Sequence, residues 1–204
     1  AHHKNKFEQI KEQAEVYKSE FGIETKIYSK EEFNEIGHGG TEQFGAFSYK
    51  PGFAINPLKF INGIAKYALS KKLKIFEYTK VGKINKNNGS YILQTEEGYI
   101  RSKKIVVATN GFYQEGLIPQ MDGRVLPVIS NVIVTRKLNE DELNTHKFKT
   151  FSPIANTKNL LYYYRKLPDN RILFGTRGDL TGSDRSNLAM SKKMEKFLKD
   201  IFPN

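Results

Sequence analysis

A chain of 204 residues, 38% hydrophobic and 27% charged, can bury one sizeable core or two small ones and is neither disordered nor fibrous. Cysteine is absent, which excludes disulfides, thiolate metal sites and cysteinyl attachment of a cofactor, and fits a reducing, cytoplasmic setting. The net charge of +11 comes from dispersed lysines, paired at most as in Lys71-Lys72, Lys103-Lys104 and Lys192-Lys193, so no nucleic acid is expected, while an anionic dinucleotide would suit it.

Ala1-His2-His3 has the form of a tag remnant and is set aside. From Lys4 to Phe21 the residues Phe7, Ile10, Ala14, Tyr17 and Phe21 recur at helical spacing, and Gly22 ends the run. Ile23 to Tyr28 reads as a short strand, and Ser29-Lys30-Glu31-Glu32 is a capping box opening a brief helix to Ile36. Gly37-His38-Gly39-Gly40 fails as a dinucleotide loop, because Glu42 stands where a third glycine is needed and no βαβ unit surrounds it. A flexible connection is expected there. His38 has no second histidine at ligand spacing, so it reads as a loop residue, and no metal is expected.

Phe44 to Phe53 reads as an extended stretch with Phe47, Tyr49 and Phe53 on one face, either core or a pocket wall. Asn56-Pro57 opens a helix whose apolar face is Leu58, Ile61, Ile64, Ala65, Ala68 and Leu69, followed by a strand over Leu73–Glu77. Thr79–Ile84, Ser90–Thr95 and Gly98–Arg101 read as a three-stranded meander with turns at Asn87-Asn88-Gly89 and Glu96-Glu97-Gly98. Lys103 to Gly111 reads as a strand buried on both faces, and Ala108, Thr109 and Gly111 at its exit would let a nucleotide approach the backbone.

Beyond it, Phe112–Gly123 reads as a loop and Arg124–Thr135 as a strand that Pro127 marks as an edge or bulge. Asp141–Thr145 reads as a turn of helix. Leu160–Lys166 and Arg171–Thr176 form a hairpin around Pro168-Asp169-Asn170, and Asn187–Phe202 is an amphipathic helix with Met190, Met194, Phe197, Leu198 and Ile201 on one side. These elements predict a mixed α/β protein, with residues 4–111 as one part and 112–204 as the other.

Several of these stretches resemble the D-amino-acid oxidase-like superfamily of FAD-dependent oxidoreductases, near γ-glutamylputrescine oxidase and glycine or sarcosine oxidase. They are Asn56-Pro57-Leu58-Lys59, Ile75 to Val81, Ile105 to Gly111, Arg124 to Val128, and Tyr163-Tyr164-Arg165 with Leu173 to Arg177, in order across positions 45–178. The resemblance implies a partial FAD-binding domain with a β-meander and a substrate domain with a large, mostly antiparallel sheet, to which Phe44–Phe53 contributes. It implies FAD as cofactor, with the Val81 backbone at the adenine and Ala108, Thr109, Asn110 and Gly111 bordering the adenosine and pyrophosphate. It implies Tyr49, Tyr164, Arg165 and Arg177 as substrate-pocket residues, with Arg177 suited to a carboxylate, and a small amine or amino acid as substrate. No glycine fingerprint precedes Lys4, and the family's closing glycine-rich segment is not met. An interior piece of a longer oxidase is therefore expected, binding FAD weakly or not at all, with uncovered apolar surface that would favour self-association. The rival readings are a non-catalytic basic α/β binding module and a basic nucleic-acid binder.

Overall fold

Lys4–Phe21 form the first helix (α1), ended by Gly22 at φ 62°, whose N–H reaches the Lys18 carbonyl while Ile23 N–H reaches that of Tyr17. This left-handed ending is open to glycine at little cost, and it turns the chain into strand β1 (Thr25–Tyr28). Helix α2 (Lys30–Ile36) starts on the expected capping box: Ser29 Oγ accepts from Glu32 N–H, and the Glu32 carboxylate accepts from Ser29 N–H. Strand β2 (Ala46–Tyr49) pairs antiparallel with β1, Thr25 opposite Tyr49 and Tyr28 opposite Ala46. The extended stretch expected over 44–53 is thus a strand for only four residues.

In the computed structural model, residues 1–179 and 182–203 are described, and they divide into two units, 1–54 with 128–204, and 55–127. The division expected at 111/112 does not match these cuts, because residues 1–54 join the second half of the chain through long-range hydrogen bonds. Gly39 N–H donates to His146 O (2.6 Å) and Thr41 N–H to Ile201 O (2.9 Å). Ala1-His2-His3 is seated in the same unit, with the Ala1 ammonium on Gly45 O (2.7 Å) and the His2 ring on Thr157 Oγ1 (2.6 Å).

The unit 55–127 begins with helix α3 (Pro57–Ser70), where Asn56 Oδ1 caps Lys59 N–H and Pro57 sits in the first turn. None of its residues is buried; Leu58, Ile61, Ile64 and Leu69 are all about half exposed or more. Residues 73–77, expected as a strand, belong to no sheet. The meander is present as β3 (Lys83–Asn87), β4 (Ser90–Gln94) and β5 (Tyr99–Ser102), order β3-β4-β5, all antiparallel. Its first turn places Asn88 and Gly89 at positive φ.

The stretch 103–111, expected as a doubly buried strand, is not a strand. It has no sheet partners, Val106 is 91% exposed, and the chain closes into a 3-10 turn at Asn110–Phe112. A buried strand needs neighbours on both edges and both faces, and no described strand lies alongside this one. The following loop is ordered by its own side chains: Tyr113 Oη donates to Asp122 Oδ1 and accepts from Ile118 N–H, and Gly116 N–H reaches the same carboxylate oxygen.

The first unit resumes with β6 (Ile129–Val134), shorter than expected because it begins two residues after Pro127. Helix α4 (Glu140–Thr145) carries a second capping box, Asn139 with Glu142. Then come β7 (Ile154–Ala155), β8 (Tyr162–Lys166), β9 (Ile172–Asp179) and helix α5 (Asp184–Ile201). The sheet order is β6-β9-β8-β7, antiparallel throughout, in agreement with the expected antiparallel sheet and hairpin. Alternation along the strands turns Ile133, Tyr162, Tyr164, Ile172 and Phe174 to one face, where Met190, Met194, Phe197, Leu198 and Ile201 of α5 cover them as the helical spacing predicted. Among the described residues no helix is long and apolar enough to cross a membrane.

Candidate functional site

Strand register decides which side chains the four-stranded sheet presents opposite α5. Ser130 is across from Arg177, Val132 and Tyr163 are both across from Gly175, and Val134 and Arg165 are both across from Leu173. With a period of two, these residues share the face opposite the core. Val132 and Val134 are 48% and 44% exposed, and Arg177 is exposed. The result is an open apolar floor with two guanidinium groups on it.

Arg165 and Arg177, both expected at the substrate pocket, stand on this open face. Tyr164 does not. It is 5% exposed, packed against Phe174 and Phe202, and its hydroxyl lies 2.8 Å from His38 Nε2. Its expected place in a pocket wall is corrected here, since three consecutive tyrosines hide the alternation that turns only the middle one outward. Tyr163 is that residue, and sequence reasoning passed over it. The phase is set by the hairpin register, which puts Tyr162 and Tyr164 opposite Thr176 and Phe174 of the core face.

Tyr163 lies over β9. A Cβ built on Gly175 would collide with the phenol end of its ring (Cζ, Cε2 and Oη), and the Tyr163 hydroxyl reaches Ser130 Oγ on β6 at 2.7 Å. Position 175 therefore tolerates only glycine while the ring stays where it is. Tyr49 stands elsewhere, at the end of β2, half exposed, with its ring edge-on to Tyr17 (5.5 Å) and beside Phe47 (5.9 Å).

His38 was expected in a flexible connection and is instead fully buried, ringed by Phe33, Phe148, Tyr164 and Phe202. Gly40 N–H donates to His38 Nδ1 at 3.0 Å, so the neutral ring carries its proton on Nε2 and donates it to the Tyr164 oxygen. Burial lowers the His38 pKa to about 4, with the charge of His146 adding to the effect, and burial raises that of Tyr164. The pair is a neutral structural knot. Gly37 and Gly40 make room for it, since an added Cβ at 40 would come within 2.9 Å of the Ile201 carbonyl oxygen.

In the unit 55–127, Val81 lies between two wall residues of an open polar cavity of about 310 Å³, lined by Lys80, Gly82, Lys83, Gln94, Thr95, Glu96 and Gln114. Gln114 Oε1 is buried there without a partner, an acceptor awaiting a donor. Two lysines, a threonine and a spare acceptor are chemistry that the sugar, phosphate and amino groups of a nucleotide can use. Ala108, Thr109 and Asn110 lie exposed on the surface, and a Cβ at Gly111 would meet Pro127 Cβ at an ordinary 3.5 Å. Small residues leave this segment open to a ligand, while Gly111 itself is not forced by close packing. The donor set fits the adenosine end of FAD; the described residues form no cradle around a diphosphate.

The comparisons with known proteins bear on the family and the fold. The family described as DAO, FAD dependent oxidoreductase, matches residues 1–204. The probable oxidoreductase OrdL of Rhizobium meliloti (strain 1021) is 27% identical over 154 residues, covering 74% of this chain and 34% of its own length. The gamma-glutamylputrescine oxidoreductase of Escherichia coli (strain K12) is 28% identical over 131 residues, 64% of this chain and 30% of its own. Glycine oxidase from Geobacillus kaustophilus superposes with a TM-score of 0.72 at 16% identity, over 98% of this chain and 52% of that one. NikD, an unusual amino acid oxidase, superposes with a TM-score of 0.64 at 12% identity, over 93% and 51%. At such identities the superpositions establish the fold. The chain spans about a third of the length of the curated relatives it matches and about half of these two structures.

Proposed function

The chain belongs to the DAO family of FAD-dependent oxidoreductases, and from that premise we propose that it forms part of an enzyme oxidising the C–N bond of a small amine or amino acid. The observation that supports the reading is the open sheet face, an apolar floor that has Arg165 and Arg177 on the same side. Bound FAD would supply the hydride acceptor for oxidation of the carbon next to the amine to an imine, which water then hydrolyses.

The protein's part is binding, orientation and exclusion of water. Arg177 pairs with a substrate carboxylate through its planar fork, Arg165 supplies a second positive charge on the same face, and the valine and leucine side chains of the floor keep water from the reacting carbon. The Val81 backbone and the small residues Ala108, Thr109, Asn110 and Gly111 hold the nucleotide end of the cofactor. An amine bound neutral needs no strong protein base, so the reading asks for no acid/base pair on this face.

The test is anaerobic mixing of the complete FAD-loaded enzyme, of which this chain forms part, with a panel of glycine, sarcosine, D-amino acids and γ-glutamylputrescine, following bleaching of the flavin absorbance. Reduction by at least one of them, lost in Arg177→Gln, supports the proposal. A flavin that none of them reduces sinks it. The uncovered apolar face of α3 favours a second, compatible reading in which this segment self-associates.

A further inference from the structure

We propose that Tyr163 is the specificity-determining residue of the open sheet face, with Ser130 as its positioning residue, and that the face takes the unbranched body of an amine or amino acid; this rests on the reading given under Proposed function. A glycine facing outward in a central strand ordinarily leaves a hollow one side chain deep, where a ligand can reach the backbone. At Gly175 that hollow is filled from the neighbouring strand by the ring of Tyr163. The ring is held at both ends. Its root is on β8, directly opposite Gly175, and its hydroxyl is tied to Ser130 Oγ on β6 at 2.7 Å, so it bridges three strands.

Two consequences follow for whatever lies on this face. A tyrosine fixed only at its root can swing aside for a branched ligand, whereas one tied at the tip cannot without breaking the hydroxyl pair. The floor therefore has a fixed depth, the thickness of one aromatic ring above the strand. Ser130 is also the register partner of Arg177, so the tip of the ring is directed toward the row that holds the guanidinium. A substrate anchored at Arg177 by its carboxylate must lay the atoms next to its reacting carbon along a surface that does not yield. A straight chain fits this; a branch at the next carbon meets the ring edge. One methyl group placed against a rigid wall is commonly worth ~10-fold to 200-fold in discrimination.

The experiment compares norvaline with valine, isomers that differ only in branching, each used as the racemate with the complete FAD-loaded enzyme of which this chain forms part. Rates of flavin reduction are measured together with calorimetric binding of the same two amino acids. Norvaline is expected to be preferred by ~10-fold or more in kcat/KM and in affinity, with Tyr163→Ala collapsing the preference chiefly through tighter binding of valine. Ser130→Ala should collapse it partly, and Tyr163→Phe, which keeps the ring but loses the tie, should match Ser130→Ala. NMR of the same proteins supplies the structural control: the Gly175 Hα resonances lie upfield under the Tyr163 ring, and Tyr163→Ala returns them to ordinary positions. The proposal is overturned if that resonance shift disappears while the preference stays unchanged, or if no such shift exists in the unaltered protein. A holoenzyme that neither binds nor oxidises either isomer, yet oxidises glycine, overturns it while sparing the reading beneath. Failure with every amine and amino acid tried removes both.

Discussion

Lowering the pH from 7.5 to 5 should destabilise the unit 1–54 with 128–204 through His38. The imidazole is fully buried, accepts from Gly40 N–H at Nδ1 and donates to Tyr164, and its pKa falls from 6.5 to about 4. In the unfolded chain it recovers the ordinary value, so between these two values the unfolded state binds the extra proton. Stability from this group is therefore level above about pH 6.5 and falls as the pH drops toward 4. The full difference is worth about 3 kcal/mol, of which about 2 kcal/mol is lost by pH 5. His2, whose pKa burial and then the charge of His3 also lower, acts in the same direction, while the paired carboxylates of Glu35, Glu142, Asp169 and Glu195 act only under more acid conditions. The assay is accordingly a difference: urea unfolding at pH 7.5, 6 and 5 for the unaltered chain and for His38→Asn, whose side-chain oxygen can still accept from Gly40 N–H but does not titrate. The variant should be less stable at pH 7.5 and lose about 2 kcal/mol less on going to pH 5. An imidazole NMR titration guards against a variant that fails to fold, because His38 should hold its neutral chemical shift until near pH 4. Parallel loss in both proteins, or a His38 midpoint near 6.5, refutes the reasoning.

Gly40→Ala should cost about 1–3 kcal/mol in urea unfolding, because its Cβ would press on the Ile201 carbonyl oxygen at 2.9 Å; a loss below about 0.5 kcal/mol would show that the His38 knot can give way. Asn139→Ala removes the cap of α4 and should lower stability by about 1 kcal/mol, with Asn139→Gly costing less; equal costs for the two would point away from capping. Titrating the 204-residue chain with FAD should leave the flavin fluorescence that of the free cofactor, since the segment 105–111 is open and the cavity beside Val81 unenclosed; tight stoichiometric quenching would contradict this. Light scattering after size exclusion should show association that grows with concentration, and Ile61→Lys on α3 should reduce it; a monomer at every concentration would count against the exposed helix as its cause.

Sequence by itself determined what depends on near neighbours. The helices α1, α2, α3 and α5, the Ser29–Glu32 capping box and the Asn56 cap, the meander and its Asn-Gly turn are set by residues within a few positions of one another, and each was legible before any coordinates. The family was legible as well, because its marks are short stretches in a fixed order. Three things only the tertiary structure decided, and all three are long-range. Lys103 to Gly111 has the composition of a buried strand, but burial is a property of neighbours, and among the described residues none flanks it. Gly37-His38-Gly39-Gly40 reads as slack chain, yet Tyr164, 126 positions after His38, supplies the partner that makes it rigid. In Tyr162-Tyr163-Tyr164 the side chains are identical, so composition carries no information about facing. Only the pairing with Thr176, Gly175 and Phe174 settles that the middle tyrosine looks outward and the outer two are core.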